Sequence, residues 1–284
     1  MHLNRRTGLA YAIFSITLAA CNSPPKLRPP LLTFGGIGGA YVNAIARGAD
    51  GTTYLGGGFT SVSAASGSGL AVDGASGLPR GGFPMIEGVV VNAVIPDEHG
   101  GWYIGGVFRS VGGLARQNLA HLTSDSKVDP AWAPKVDGPV YALALQGGLV
   151  LIGGDFDNVG TAARQNLAAI DSSGSPTAWN PGASGRTSRA NATLDVSKVL
   201  ALAVKGSSIY VGGDFTTIGG ESHDDLAVVD TAGAASSPWV ADASGPVHAL
   251  LITATNLYVG GEFTTIGSSG GTPTELNGLA SFTL

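Results

Sequence analysis

A chain of 284 residues with 44% hydrophobic residues has the material for a substantial core, which excludes an intrinsically disordered protein. Its 45 glycines follow no Gly-X-Y period, which excludes collagen and favours a turn-rich β protein. A net charge of −5 and no basic patch interleaved with aromatics exclude a nucleic-acid binder.

The chain begins with a basic stretch around Arg5 and Arg6. An apolar run, Leu9 to Ala20, follows and is too short to span a bilayer comfortably. The run ends in Leu-Ala-Ala-Cys, and Cys21 is the single cysteine, so it cannot form an internal disulfide. This stretch resembles a bacterial lipobox. The resemblance implies cleavage before Cys21 and lipid on that residue, with Asn22 pointing to the outer membrane. Residues 1–20 are therefore expected to be a lipoprotein signal peptide and residues 21–30 a proline-rich tether. Residues 31–284 are expected to form the folded domain, exported and lipid-anchored on the periplasmic or surface face of the envelope.

The domain is a repeat. Phe59, Phe108, Phe156, Phe215 and Phe263 each close a strand that carries a Gly-Gly pair, at spacings of 49, 48, 59 and 48 residues. Sixteen or 17 residues before each phenylalanine lies the valine of a short apolar strand: Val42, Val91, Val140, Val199 or Val247. A Leu-Ala pair follows at Leu70, Leu119, Leu167, Leu226 and Leu279, and an aromatic at Phe83, Trp132, Trp179 and Trp239. Short alternating runs between glycine turns read as strands, and no stretch keeps a helical period. The expectation is all-β: a closed five-bladed β-propeller of four-stranded antiparallel blades. The fifth repeat ends without its aromatic strand. Phe34 stands 8 residues before Val42, as Phe83 stands before Val91, so the N-terminal strand is expected to complete the last blade beside Leu279–Phe282 and close the ring. The tryptophans are expected to pack between blades. One glycine of each pair is expected on each face of the sheet, receiving a large side chain, plausibly aromatic, of the neighbouring blade.

The unit resembles the delta-60 repeat family of bacterial β-propellers. The pattern is clearest in Arg-Gln-Asn-Leu-Ala from Arg116 and again from Arg164; units one, four and five have Gly67, His223 and Leu276 in place of that arginine. The resemblance spans residues 31–284 and implies a propeller; it implies no reaction.

Chemistry is sparse in the sequence. Asp155, Asp214 and Glu262 follow the glycine pair in three successive units, a weak acidic arc that reads more readily as turn or inter-strand bonding than as a metal or catalytic set. The second residue of the first strand varies most: Asn43, Asn92, Tyr141, Leu200 and His248. If that strand lines the channel, Asn43, Asn92, Tyr141 and His248 are candidates for contacting a ligand. The connection after Pro181 is 12 residues longer than its counterparts and carries Arg186 and Arg189, a second candidate contact. No catalytic residue, metal site or cofactor is expected. The reading is a monomeric, non-enzymatic binding or scaffold protein for an envelope protein or glycan. The alternative is a glycan hydrolase or lyase with its site at the channel mouth.

Overall fold

The computed structural model describes residues 34–35, 40–62, 65–187, 195–233, 241–267, 274–275 and 277–284. The signal stretch, Cys21, the tether, Arg189 and Trp239 lie outside them. Among the described residues there are strands and turns and no helix, hence no helix long and apolar enough to cross a membrane.

Five antiparallel three-stranded ladders follow one another. They are Tyr41–Arg47, Thr52–Gly58 and Gly69–Asp73; then Ile86–Pro96, Trp102–Val111 and Leu119–Leu122; then Val140–Gln146, Leu149–Gly154 and Leu167–Ile170. The fourth is Lys198–Lys205, Ser208–Asp214 and Leu226–Val229, and the fifth Val247–Ile252, Asn256–Gly261 and Leu279–Thr283. In each the glycine-bearing strand is central. It must be, because the two glycines have little side chain to bury and rely on partners on both edges for their backbone bonds.

The fourth strand is shorter than expected. In three units it is a single bridge, Val72 to Pro79, Leu122 to Val128 and Ile170 to Pro176. In the first and third of these the partner is a proline, which removes a donor and stops the ladder there. The aromatic beyond it reaches the next unit instead: Trp132 Nε1 donates to the Asp171 carbonyl and Trp179 Nε1 to the Asp230 carbonyl, both at 3.0 Å. The inter-unit role expected of these two tryptophans is what the structure has.

The N-terminal strand is in a different place from the one expected. Phe34–Gly35 pairs with Ser61–Val62 of the first unit, not with Leu279–Phe282. Its partner Val62 stands 3 residues after Phe59, and the same offset from the repeated phenylalanine recurs in Ile86 with Val111, Ala183 with Ile218 and Ala243 with Ile266. Spacing to Val42 pointed to the wrong homologue; pairing puts Phe34 with Ile86, Ala183 and Ala243.

The core lies between units rather than inside them. The first strand of each of units 2 to 5 packs on the first and second strands of the unit before it. One cluster joins Ala44 and Tyr54 to Val91 and Ile104, and another joins Leu151 and Leu167 to Val199 and Val211. The first glycine of each pair makes this approach possible. A Cβ on Gly56, Gly105, Gly153 or Gly212 would overlap Val91, Val140, Val199 or Val247 of the next unit. The neighbour is a valine, not the expected aromatic. The second glycine has another reason. A Cβ on Gly57, Gly106, Gly154, Gly213 or Gly261 would strike the backbone carbonyl of its own unit's first strand, because a bulge there brings the two chains close.

Candidate functional site

The same bulge recurs in all five first strands. Register shifts between Val42 and Ala44, Val91 and Ala93, Val140 and Ala142, Val199 and Ala201, and Val247 and Ala249. The extra residue in each is Asn43, Asn92, Tyr141, Leu200 or His248. The ring position singled out in the sequence is thus a row of bulged residues, each half-buried and freed from the ladder. Bulges re-aim side chains, and here they aim unlike ones from a like frame.

Part of the row is spent on joining units. Asn43 Nδ2 donates to Asn92 Oδ1, and Asn92 Nδ2 donates to the Val140 carbonyl, each at 3.1 Å. Tyr141 lies beside Asp155; burial, then the negative charge of Asp155, raises the phenol pKa. His248 Nε2 meets Glu262 Oε1 at 3.1 Å. The three acids of the arc do not converge. Asp155 faces Lys198 at 3.6 Å, Asp214 faces Arg186 at 2.6 Å and Glu262 faces His248. Among the described residues no group of three His, Cys, Asp or Glu side chains is placed to hold a metal ion.

Arg186 is committed too. Its Nη2 lies 2.7 Å from Asp225 Oδ1 and donates to the Phe215 carbonyl at 3.2 Å. Asp225 occupies a position the sequence reading passed over. In units 2 and 3 it is Asn118 and Asn166, with φ of 64° and 62°; Asp225 has 63°. Asn and Asp tolerate this left-handed conformation better than other side-chain-bearing residues. Each accepts the N–H of the repeated phenylalanine: Asn118 from Phe108, Asn166 from Phe156 and Asp225 from Phe215. The amide groups also donate, Asn118 to the Val136 and Gly138 carbonyls and Asn166 to Ala183. An aspartate cannot donate, and Arg186 takes that place. Burial drives the Asp225 pKa up to about 6 despite the pull of Arg186. In sequence this position is the asparagine of the repeated Arg-Gln-Asn, Asn118 and Asn166. Those arginines tie strands locally: Arg116 donates to the Ala115 and Asp129 carbonyls, and Arg164 to Ala163 and Thr177.

A second cluster, in unit 2, centres on His121, which the sequence does not single out. Its Nδ1 lies 3.0 Å from Asp129 Oδ2 and its Nε2 3.0 Å from Asp97 Oδ2, while the ring stacks on Tyr103 at 4.5 Å. Burial pushes both carboxyls up, but bonds from His121 and from backbone N–H groups outweigh it and hold both below the usual value. Only strand register brings Asp97 near, 24 residues away in sequence. His121→Leu is expected to cost about 1–3 kcal/mol by leaving a buried acceptor unpaired. The stability these carboxylates bring is present above pH 3.8 and lost as pH falls through their lowered values. Urea midpoints of the two proteins at pH 7 check this: the variant's should be lower.

A cleft of about 580 Å³ opens between units 3 and 4, walled by Asn158, Gln165, Asn180, Pro181, Ser184 and Thr217. It sits at the root of the long connection. Asn158 is held by Asp137 at 2.8 Å, Gln165 by Asp195 at 3.2 Å, and Ser184 Oγ lies 2.7 Å from Thr217 Oγ1. The wall mixes these held polar groups with Ala163 and Ile218, and Asp157 adds a carboxylate.

No protein-family model matches the chain, and no curated protein matches it. Solved structures share its chain path in part. The computationally designed Ika8 protein is 14% identical, with TM-score 0.44, over 79% of this chain and 57% of that one. The Pan2 WD40 domain of Neurospora crassa is 11% identical, with TM-score 0.49, over 86% of this chain and 63% of that one. BamB from Moraxella catarrhalis is 13% identical, with TM-score 0.42, over 77% and 82%. The chain thus spans less than two thirds of the first two. WD40 repeats build β-propellers. Likeness of this degree concerns fold and carries nothing about activity.

Proposed function

We propose that the chain is a lipid-anchored protein of the bacterial cell envelope. Its five blades, a β-propeller of the delta-60 type, form a non-enzymatic scaffold for an envelope protein or glycan. The observation that carries this reading is the cleft between units 3 and 4, where Asn158, Gln165, Ser184 and Thr217 are held by neighbours at the root of the long connection after Pro181. Preorganised neutral hydrogen-bonding groups suit recognition of a polar surface such as a glycan or an exposed backbone. The unlike bulged residues along the units support it as well. The address rests on the lipobox-like stretch ending at Cys21. Metabolic lipid labelling of the full chain and of Cys21→Ser tests the anchor: label and membrane pelleting should disappear together. Incubation with isolated envelope glycans tests the scaffold reading. Retention without new reducing ends is expected; steady release of reducing ends would make the protein a glycan hydrolase instead.

A further inference from the structure

The repeat departs from its own pattern where the cleft between units 3 and 4 opens. The residue after the repeated phenylalanine is Thr60, Arg109, Thr216 or Thr264 in four units and Asp157 in unit 3. The next is Ser61, Ser110, Thr217 or Thr265, and Asn158 in unit 3. Asp157 and Asn158 both wall the cleft. Hydroxyls, which fill most of these positions, donate and accept, whereas a carboxylate only accepts. The change makes this wall richer in acceptors.

The bonds around the cleft act in the same direction. Asn158 Nδ2 donates to Asp137 Oδ2 at 2.8 Å, and Gln165 Nε2 donates to Asp195 Oδ2 at 3.2 Å. Each wall amide thus spends a donor on a carboxylate behind it, and among the described residues neither amide oxygen has a protein donor. Burial pushes the Asp137 and Asp195 carboxyls up, but bonds from the Asn158 and Ser197 side chains and from backbone N–H groups outweigh it and hold both below the usual value. Both are therefore charged at neutral pH. Asp157 is exposed, and among the described residues its carboxylate has no protein partner. No lysine or arginine among the described residues walls the cleft. The two arginines nearest the wall in sequence are spent elsewhere, Arg164 on the Ala163 and Thr177 carbonyls and Arg186 on Asp214 and Asp225. A cleft of one sign of charge focuses its field and draws the opposite charge. Acceptors without donors and carboxylates without a cation call for one group, a positive charge that carries N–H bonds.

Size and the rest of the wall select what bears that charge. A cleft of about 580 Å³ is of the size that encloses a whole small molecule, and one lysine side chain would leave most of it to water. The Ser184 and Thr217 hydroxyls can exchange hydrogen bonds with sugar hydroxyls, while Ala163 and Ile218 offer apolar surface to the C–H face of a ring. We propose that the cleft between units 3 and 4 binds a short glycan through a protonated amine, with Asp157 meeting the ammonium group and the Asn158 and Gln165 oxygens accepting from the amine and neighbouring hydroxyls. The inference rests on the scaffold reading above and names the class of its glycan, an amino sugar without an N-acetyl group.

Calorimetric titration of the full chain tests it, with the tetramers of glucosamine and of N-acetylglucosamine as probes, matched in linkage, at pH 6 and low salt. The free amine should bind roughly fivefold more tightly, the scale of one exposed ion pair, and added salt should erase the preference. Asp157→Asn keeps the shape of an exposed side chain, so its melt should be unchanged, yet it should bind the two tetramers alike. Asp157→Lys should reverse the preference. Equal binding of the two tetramers by the parent chain, or a preference that survives Asp157→Asn, would overturn the amine and leave the glycan reading standing. Binding of neither tetramer would remove both. Pentalysine bound as tightly as the glucosamine tetramer would assign the cleft to a protein's lysine and overturn the proposal as well.

Discussion

Replacing Arg186 by methionine is expected to lower the melting temperature near pH 7 by about 10 °C. The figure combines a cost of about 3–5 kcal/mol for stripping a buried charge of its partner with a few degrees per kcal/mol for a domain of this size. The Asp225 side chain is 2% exposed, and Arg186 is its cation, at 2.7 Å. Methionine keeps most of the side chain's bulk and removes only the charge. The double variant Arg186→Met, Asp225→Asn should recover most of the loss. An asparagine there would still accept the Phe215 N–H, and its amide would reach the Ala243 carbonyl as Asn166 reaches Ala183. The pH dependence separates this from simple loss of packing. Asp225 titrates near 6 in the fold and at 3.8 when unfolded, so between those values the folded chain holds the extra proton. Stability contributed at this site therefore falls as pH rises from 4 to 6, by at most about 3 kcal/mol, opposite to an ordinary paired carboxylate. Asp225→Asn should abolish that slope. Melts at pH 4, 5, 6 and 7 read it directly; equal melting of the single and double variants at pH 7 would refute the pairing account.

Gly213→Val should be comparably damaging. A Cβ at Gly213 overlaps the Lys198 carbonyl and stands 3.1 Å from the Phe215 ring, so the bulge and the repeated phenylalanine must both move. Overpacking against backbone has no flexible end to yield, and a cost of about 3 kcal/mol or more is expected, with poor recovery of folded protein. Gly212→Val, pressed against Val247, belongs to the same class. Gly260→Val is the internal control: the counterpart of Gly212 in unit 5, whose nearest described neighbour stands 3.8 Å away. A thermal melt by circular dichroism should separate the two groups by more than about 5 °C. If all three variants melt alike, strand propensity rather than packing explains the glycines.

The repeat could be read from sequence because it obeys counting: phenylalanines, valines and Leu-Ala pairs return at fixed offsets, and the structure places each set at one site in its unit. The glycine pair was read correctly as a device for close approach. What it approaches was not, since period-2 alternation says which face a residue takes but nothing of a bulge one residue away. The end strand was misassigned for a related reason. Phe34 matches Phe83 by distance from the next valine, yet masses of similar short strands differ only in partner, and pairing is a long-range fact. Candidate contacts such as Asn92 and Arg186 were visible as unusual residues, but their occupation by Val140 and Asp225 depends on neighbours 48 and 39 residues away. His121 was missed because its two carboxylates come from other turns.

The placement of the core between units has a mechanical consequence. Substantial packing runs within a unit or to its immediate neighbour, so load applied between the two ends of the chain passes through the junctions one after another. Among the described residues Ile45 of the first sheet and Tyr258 and Leu279 of the fifth are exposed where their counterparts are buried, so these sheets are the weakest links of such a series. A chain pulled at its two ends would shed its terminal sheets first and keep the central ones, where Asn166 and the Arg186–Asp225 pair lie, assembled longest. The array would then act as a graded tether, lengthening in steps of one repeat while the cleft between its third and fourth sheets stays formed.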